Sequence, residues 1–339
     1  MLDLSRPIAP GREAELPISC SQNKIIAMPK VSAIICVYNQ PLVKDAIESV
    51  LAQTFPDLEL IIIDDGSTDQ TPEIIAAYSD RAKIRRQKNK GVAAARNRGL
   101  SIASGEIIAF LDADDVWMPQ YLSEQIAFLS AHKECGLSFT DGWMLWKKEI
   151  PDNILRLPSH YSIYPPAAGP NAAATFFDSP IITSFTAFPR SYFERVGFFA
   201  EDLKVNEDAE MFLRGFEQAI DFGFINKPLA IKRNLDTGLA RNSDQSFYFS
   251  RIIQLMSWRR SGRLHPLLRE GIPIADRQIA RTLLAKGDPR QARKYLFEAL
   301  RFKPWAIRTF LIWAALFLPE PVPAMILTKN LWPAVKKKS

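Results

Sequence analysis

Short apolar runs alternate with helical patterns along the first half of this chain, and this alternation constrains the fold more than any other feature. The three strongest runs are VSAIICV at 31–37, LELIII at 58–63 and EIIAFL at 106–111. Unbroken runs of this length, rich in β-branched residues, are typical of strands buried on both faces. Between the first two runs, residues 42–51 carry apolar side chains at helical spacing behind Pro41. The pattern predicts an α/β domain with a mostly parallel sheet.

Weaker patterns complete the predicted order of elements. Further strands are predicted at 83–86, 136–139 and 181–188. Further helices are predicted at 71–77, 92–102, 120–131, 191–196 and 207–216. The Pro- and Ala-rich stretch 151–180 and the residues 231–245 show little periodicity, and both are predicted as loops.

The sequence divides into three predicted regions. Residues 1–28 show no periodicity and are predicted to form a flexible tail, residues 29–245 form the α/β domain, and residues 246–339 are predicted to be helical. The N-terminal residues lack a basic start followed by an apolar run, so no secretory signal is expected. The three cysteines are dispersed, which disfavours a disulfide scaffold or a structural zinc site and favours a reducing, cytoplasmic location.

Positive charge is concentrated near the end of the sequence. Residues 286–339 contain eleven Lys or Arg against three Asp or Glu, together with eight aromatic residues, within a chain of net charge +6. This mixture favours an anionic surface as a partner, and no nucleic-acid partner is expected. The apolar run 309–319 is about half of the ~20 residues that a spanning helix needs. The sequence favours packing in a helical core or peripheral contact with the inner face of a membrane over a true span for this region.

An acidic cluster follows the third strong strand at Asp112, Asp114 and Asp115. Carboxylates this close repel one another unless a cation lies between them. Hard oxygen ligands suit Mg²⁺ or Mn²⁺, and such an ion can neutralise a diphosphate leaving group. The alternative is a solvated acidic turn that caps the following helix.

Three further polar clusters have structural and functional interpretations. The run 64–69 (DDGSTD) follows the second strand, where it forms either a turn or a carboxylate contact to a base or ribose. Residues 206–208 (NED) open a helix and either stabilise its dipole or supply a general base. Residues 89–91 (NKG) precede Arg96, and the basic side chains here are either surface charges or phosphate contacts.

Taken in order, these motifs resemble the family 2 glycosyltransferases. The segments that carry the resemblance are VSAIICVYNQ, LELIIIDDGSTDQT, NKGVAAARNRG, SGEIIAFLDADDVWMP and NEDAEMFLRG. The resemblance covers about residues 31–233 and implies a glycosyltransferase A fold, a Rossmann-like mixed sheet flanked by helices, here with a helical C-terminal extension. It also implies an inverting, metal-dependent enzyme that uses Mn²⁺ or Mg²⁺ and a nucleotide-sugar donor.

The resemblance also assigns nucleotide-binding residues. Tyr38 matches the position that stacks on the base, flanked by Val37 and Asn39. Asp65 matches the carboxylate that contacts uracil. Arg96 lies in the basic helix that the family places below the diphosphate.

Metal and catalytic residues follow from the same resemblance. Asp112 and Asp114 match the D-x-D pair that contacts the nucleotide and the metal, with Asp114 as the direct ligand, and Asp208 matches the catalytic base. Arg233 matches a possible diphosphate contact, but the His that follows it in many relatives is absent here. The chain also lacks Gln-x-x-Arg-Trp, which disfavours a processive polysaccharide synthase.

The sequence therefore favours transfer of a sugar, most simply from a UDP-sugar, to a glycan or lipid-linked acceptor in polysaccharide or cell-envelope synthesis. One rival is a nucleotidyltransferase on a related fold, which would need a Gly-rich basic loop where this chain has YNQP at 38–41. The other is a catalytically silent glycan- or nucleotide-binding scaffold, which would have no need of Asp112, Asp114 and Asp208.

Overall fold

The computed structural model describes residues 31–163, 165–166, 181–203, 206–235, 276–277, 280, 283–284, 288–302 and 307–316. The predicted tail 1–28 and residues 246–275 of the predicted helical region lie outside the described residues, as does the predicted loop 151–180 beyond residue 166. The three predicted regions therefore remain a prediction.

The described residues contain one sheet of eight strands. In chain order these are β1 (Val31–Val37), β2 (Leu58–Asp64), β3 (Ala82–Arg86), β4 (Ile107–Asp112), β5 (Val116–Trp117), β6 (Cys135–Leu145), β7 (Thr186–Pro189) and β8 (Asp221–Arg233). Their order across the sheet is β3-β2-β1-β4-β7-β6-β8-β5.

Helices connect and flank these strands. The α-helices are α1 (Val43–Leu51), α2 (Thr71–Ala76), α3 (Val92–Ile102), α4 (Tyr121–Ala131), α5 (His160–Ile163), α6 (Arg190–Val196), α7 (Glu207–Glu217), α8 (Pro289–Phe302) and α9 (Ile307–Ala315). Short 3-10 turns lie at Ile154–Arg156 and Thr183–Phe185. The strands predicted from apolar runs and the helices predicted between them are confirmed to within one or two residues at most ends.

Parallel pairing brings the ends of three strands to one edge of the sheet. β1 lies between β2 and β4 and runs parallel to both, with Val37 opposite Asp64 and Cys36 opposite Asp112. Side chains on both faces of β1, such as Ile34 and Ile35, are fully buried. The residues that follow β1, β2 and β4 therefore meet at the carboxyl edge, where open α/β sheets bind ligands.

The second half of the sheet is mixed, and here two predictions were wrong. The predicted strand 181–188 begins instead with the 3-10 turn, and β7 pairs antiparallel with both β4 and β6. Residues 231–233, predicted as loop, are the end of the long strand β8, which runs parallel to β6. Pro228 and the polar residues before it hide this strand in the sequence, but irregular pairing opposite Asp141 accommodates the proline.

The described part of the C-terminal region is helical, as predicted. Ile312 and Leu316 pack with Leu296 in a small apolar cluster, whereas Phe310 and Leu311 are about half exposed. No helix among the described residues has the length and hydropathy that a membrane crossing requires.

A buried carboxylate joins β1, β2 and the turn before β4. Glu59 accepts hydrogen bonds from Ser32 Oγ (2.5 Å), Ser104 N (2.6 Å) and Gly105 N (3.2 Å), and it pairs with Lys83. Burial alone would raise the pKa of Glu59, but Lys83 and the hydrogen bonds outweigh it and lower the pKa to about 2. Glu59 therefore stabilises the folded state in its charged form.

Glu59→Gln should lower the free energy of unfolding by about 2 kcal/mol at neutral pH. Because the folded pKa lies below the ordinary value of 4.5, the stabilisation by Glu59 is complete above pH 4.5 and is lost as the pH falls towards 2. Urea denaturation from pH 7 down to pH 2.5 should show the gap between wild type and variant closing. Exposed Glu194→Gln is the control. A gap that stays constant with pH would contradict this assignment.

Candidate active site

The loops after β1 and β2 are fastened together by Asn39. Its Oδ1 accepts hydrogen bonds from Thr68 N (2.7 Å) and Asp69 N (3.3 Å), and its own N–H donates to Ser67 Oγ (3.0 Å). Asn39 has φ +47°, a conformation that asparagine tolerates better than most residues. This junction leaves the preceding Tyr38 half exposed at the carboxyl edge.

Asp65 is buried and holds the loop that leads into α3. Its Oδ1 accepts hydrogen bonds from Gln87 Nε2 (2.8 Å) and Lys90 N (2.9 Å), and its Oδ2 accepts one from Gly91 N (2.8 Å). Its own N–H donates to Val37 O (2.8 Å), which links the ends of β1 and β2. The predicted contact from Asp65 to a base remains a prediction, since both oxygens already bind this loop.

Arg96 is buried between two carboxylates on different elements. Its guanidinium pairs with Asp112 at the end of β4 (2.8 Å) and with Glu207 at the start of α7 (2.5 Å). It also lies over the rings of Phe110 and Phe199, with 5.9 and 5.4 Å to the centroids. The guanidinium thus joins β4 to α7. The predicted place of Arg96 below the diphosphate remains a prediction.

The acidic cluster is divided between buried and accessible carboxylates. Asp115 is fully buried and accepts hydrogen bonds from Ser184 Oγ (2.6 Å) and Arg233 N (2.9 Å). Asp112 and Asp114 are only partly buried. Asp115 is thus a structural member of the cluster, and the two carboxylates of the D-x-D pair face more open space.

Two cations from the end of β8 complete the cluster. Lys232 Nζ lies 3.3 Å from Asp112 Oδ2 and 3.5 Å from Asp115 Oδ2. The buried Arg233 guanidinium donates to Asp45 (2.7 Å) and to the carbonyl of Asp114 (3.1 Å). The predicted diphosphate contact of Arg233 remains a prediction. Lys232 was not among the site residues predicted from the sequence, because it lies in a stretch that was predicted as loop.

These neighbours move the carboxylate pKa values in opposite directions. Burial raises the pKa of Asp112, but Lys232 and Arg96 outweigh it and lower the pKa to about 2. Burial raises the pKa of Asp115 to about 7, with Asp112 and Asp114 adding to the effect. Burial likewise raises the pKa of Glu207 to about 7 despite Arg96. Asp112 therefore stays charged across the range in which its neighbours gain protons.

Asp208 is oriented by a neighbouring hydroxyl. Thr183 Oγ1 donates to Asp208 Oδ2 (2.7 Å), and Ala209 N donates to Asp208 Oδ1 (2.7 Å). The adjacent Ser184 accepts from Asp112 N (3.1 Å) and donates to Asp115. One 3-10 turn therefore contacts both the D-x-D region and Asp208. Sequence reasoning missed Thr183 and Ser184, although hydroxyls inside an apolar stretch were the available signal.

The donor set fits a divalent ion that shares its coordination with a ligand. The described residues hold no cluster of three or more His, Cys, Asp or Glu side chains arranged around a metal. Mg²⁺ is usually held by one or two carboxylates together with substrate phosphates and water. The partly exposed carboxylates of Asp112 and Asp114 fit this pattern.

Comparison with known proteins agrees with this geometry. Residues 32–197 match the family described as Glycosyl transferase family 2. An Escherichia coli protein named UDP-Glc:alpha-D-GlcNAc-diphosphoundecaprenol beta-1,3-glucosyltransferase WfaP is 45% identical over 109 residues, which cover 31% of this chain and 43% of that protein. The matches to WfaP and to two further curated relatives span only 30–43% of the lengths of those relatives.

Solved structures show the same fold. S. aureus TarS 1–349 in complex with UDP-GlcNAc aligns with a TM-score of 0.57 at 17% identity, covering 88% of this chain and 89% of that one. The mannosyltransferase PcManGT from Pyrobaculum calidifontis, in complex with GDP-Man and Mn²⁺, aligns with a TM-score of 0.55 at 20% identity, covering 91% and 88%. The predicted glycosyltransferase A fold is confirmed.

Arg96→Met should lower the free energy of unfolding by about 3 kcal/mol, because it leaves Asp112 and Glu207 without their shared cation. The matched control is Arg98→Met, which removes an exposed arginine from the same helix and should change stability by about 0.5 kcal/mol or less. Chemical denaturation at pH 7.5 measures both. Equal stabilities for the two variants would show that Arg96 does not hold β4 to α7.

Proposed function

Because residues 32–197 match the family described as Glycosyl transferase family 2, we propose that the chain is an inverting glycosyltransferase that moves a sugar from a nucleotide diphosphate donor to an acceptor hydroxyl. The observation that carries this proposal is the Arg96 bridge. It sets the D-x-D carboxylate Asp112 beside Glu207, whose neighbour Asp208 is the proposed base. Donor and acceptor chemistry would then share one edge of the sheet.

The donor is proposed to be a UDP-sugar. The half-exposed ring of Tyr38 and the Asn39 junction stand at the edge where a base would lie. The WfaP name specifies UDP-Glc and a diphosphoundecaprenol acceptor, and the TarS complex contains UDP-GlcNAc. These likenesses support a UDP-sugar donor and a lipid-linked or polysaccharide acceptor of the cell envelope.

Asp208 would act as the single general base. Inversion requires one carboxylate to remove the acceptor proton while the nucleoside diphosphate leaves from the opposite face of the sugar. The hydrogen bond from Thr183 fixes one Asp208 oxygen, and the N–H of Ala209 fixes the other. The second carboxylate that glycoside hydrolases use is not needed, because the diphosphate is already a good leaving group.

Asp114 and Asp112 would hold Mn²⁺ or Mg²⁺. When bound, such an ion supplies electrostatic stabilisation of the departing diphosphate. Asp114 suits this role because, among the described residues, no other side chain hydrogen-bonds to its carboxylate, whereas Asp112 is shared with Arg96 and Lys232. Asp112 is therefore a weaker ligand that also orients Arg96.

Contact with the inner face of a membrane through residues 286–339 also remains a proposal. In its favour, α9 packs Ile312 against α8 while Phe310 and Leu311 stay half exposed, and the sequence of this region is rich in Lys and Arg. A cytoplasmic, peripheral location would suit a lipid-linked acceptor.

Donor hydrolysis tests the proposed activity directly. The purified chain is incubated with Mn²⁺ and a panel of UDP-, GDP- and dTDP-sugars, and release of nucleoside diphosphate is followed. We expect slow release from one UDP-sugar, abolished by EDTA and by Asp114→Ala. Titration calorimetry with UDP should show that Asp114→Ala loses the Mn²⁺-dependent part of binding. Failure to bind or cleave any donor would favour the silent scaffold.

Asp208→Asn should lower the transfer rate by at least about a hundredfold while leaving the affinity for UDP unchanged, because the amide cannot accept the acceptor proton. Transfer and calorimetry are measured on the same preparations. The control is Asp221→Asn, which lies at the start of β8, away from the end that carries Lys232 and Arg233, and which should retain wild-type transfer. A variant that loses UDP affinity together with transfer would assign Asp208 to donor binding instead.

A further inference from the structure

Lys232 places an ammonium group between two carboxylates of the acidic cluster. Its Nζ lies 3.3 Å from Asp112 Oδ2 and 3.5 Å from Asp115 Oδ2, and its side chain is 23% exposed. Without a cation between them, the carboxylates of Asp112 and Asp115 would repel each other. The lysine therefore balances the charge that a divalent ion would otherwise balance.

The other cations of the site cannot take this place. Arg96 binds the opposite oxygen of Asp112, Oδ1, and is fixed by Glu207. Arg233 turns its guanidinium towards Asp45. Asp112 therefore has a cation on each oxygen, and a divalent ion that approaches Oδ2 meets the charge of Lys232. Lys232 is the more exposed of the two partners of Asp112, so it is the one that can move.

We propose that Lys232 is a positioning residue whose side chain has two positions. In the protein without ligands its ammonium group pairs with Asp112 and Asp115. When a divalent cation binds these carboxylates, the Lys232 side chain moves and pairs with the donor diphosphate. This inference rests on the proposed function. When the carboxylates bind the metal, the donor diphosphate supplies new anionic oxygens with which the Lys232 ammonium group can pair. Metal alone would then bind weakly, and metal with nucleotide would bind strongly.

The test measures Mn²⁺ binding to the full chain by the electron paramagnetic resonance signal of free Mn²⁺, with and without UDP. Without UDP, Lys232→Met should bind Mn²⁺ about tenfold more tightly than wild type, because the positive charge that lies 3.3 Å from Asp112 Oδ2 has been removed. With UDP, the enhancement of Mn²⁺ affinity should be about tenfold smaller than in wild type. Lys232→Arg keeps the charge and should resemble wild type without UDP.

The matched control is Lys227→Met on the same strand. Lys227 pairs with Glu124 (2.6 Å), a carboxylate outside the cluster, so its loss should leave Mn²⁺ binding unchanged. Lys232→Gln retains a hydrogen-bond donor for Asp115 and replaces Lys232→Met if the latter does not fold.

Two results would overturn the inference in distinguishable ways. If the uncharged Lys232 variants bind Mn²⁺ no more tightly than Lys227→Met while UDP binding is intact, the inference for Lys232 is wrong and the proposed function stands. If the wild-type protein binds no nucleotide under any condition, both the proposed function and the proposed movement of Lys232 to a diphosphate are wrong.

Discussion

The buried guanidinium of Arg96 is the contact on which the site depends. Its burial is possible because Asp112 and Glu207 supply two negative charges and the rings of Phe110 and Phe199 lie against it. The two carboxylates come from the end of β4 and the start of α7, and Arg96 itself comes from α3. A single desolvated ion cluster therefore fixes three elements at the carboxyl edge, and the position of Asp208 follows from it.

The negative charges of the acidic residues are balanced by side chains in direct contact with them rather than by distant surface charges. Lys232 and Arg233 reach the acidic residues from the end of β8, and the 3-10 turn adds the hydroxyls of Thr183 and Ser184. Asp112 remains charged at low pH while burial raises the pKa of Asp115 to about 7. This division leaves Asp112 as a strongly anionic carboxylate beside Asp115, whose charged form is disfavoured by burial.

The two halves of the sheet contribute differently to this arrangement. The parallel half, β3-β2-β1-β4, ends in the polar loops that would surround a nucleotide. The mixed half carries the turn that orients Asp208 and the strand that delivers Lys232. The irregular pairing of β8 opposite Asp141 sets how far that strand runs, and thus which of its residues reaches Asp112.

The sequence by itself determined the alternation of strands and helices and the placement of Asp65, Asp112 and Asp114 at strand ends. Such features depend on local periodicity and on the rule that parallel strands end at a common edge. Only the tertiary structure decided that Arg96 binds Glu207 and that Lys232 enters the acidic cluster. Those partners lie 111 to 120 residues apart, and their contact depends on strand register and shared burial, which no local pattern encodes.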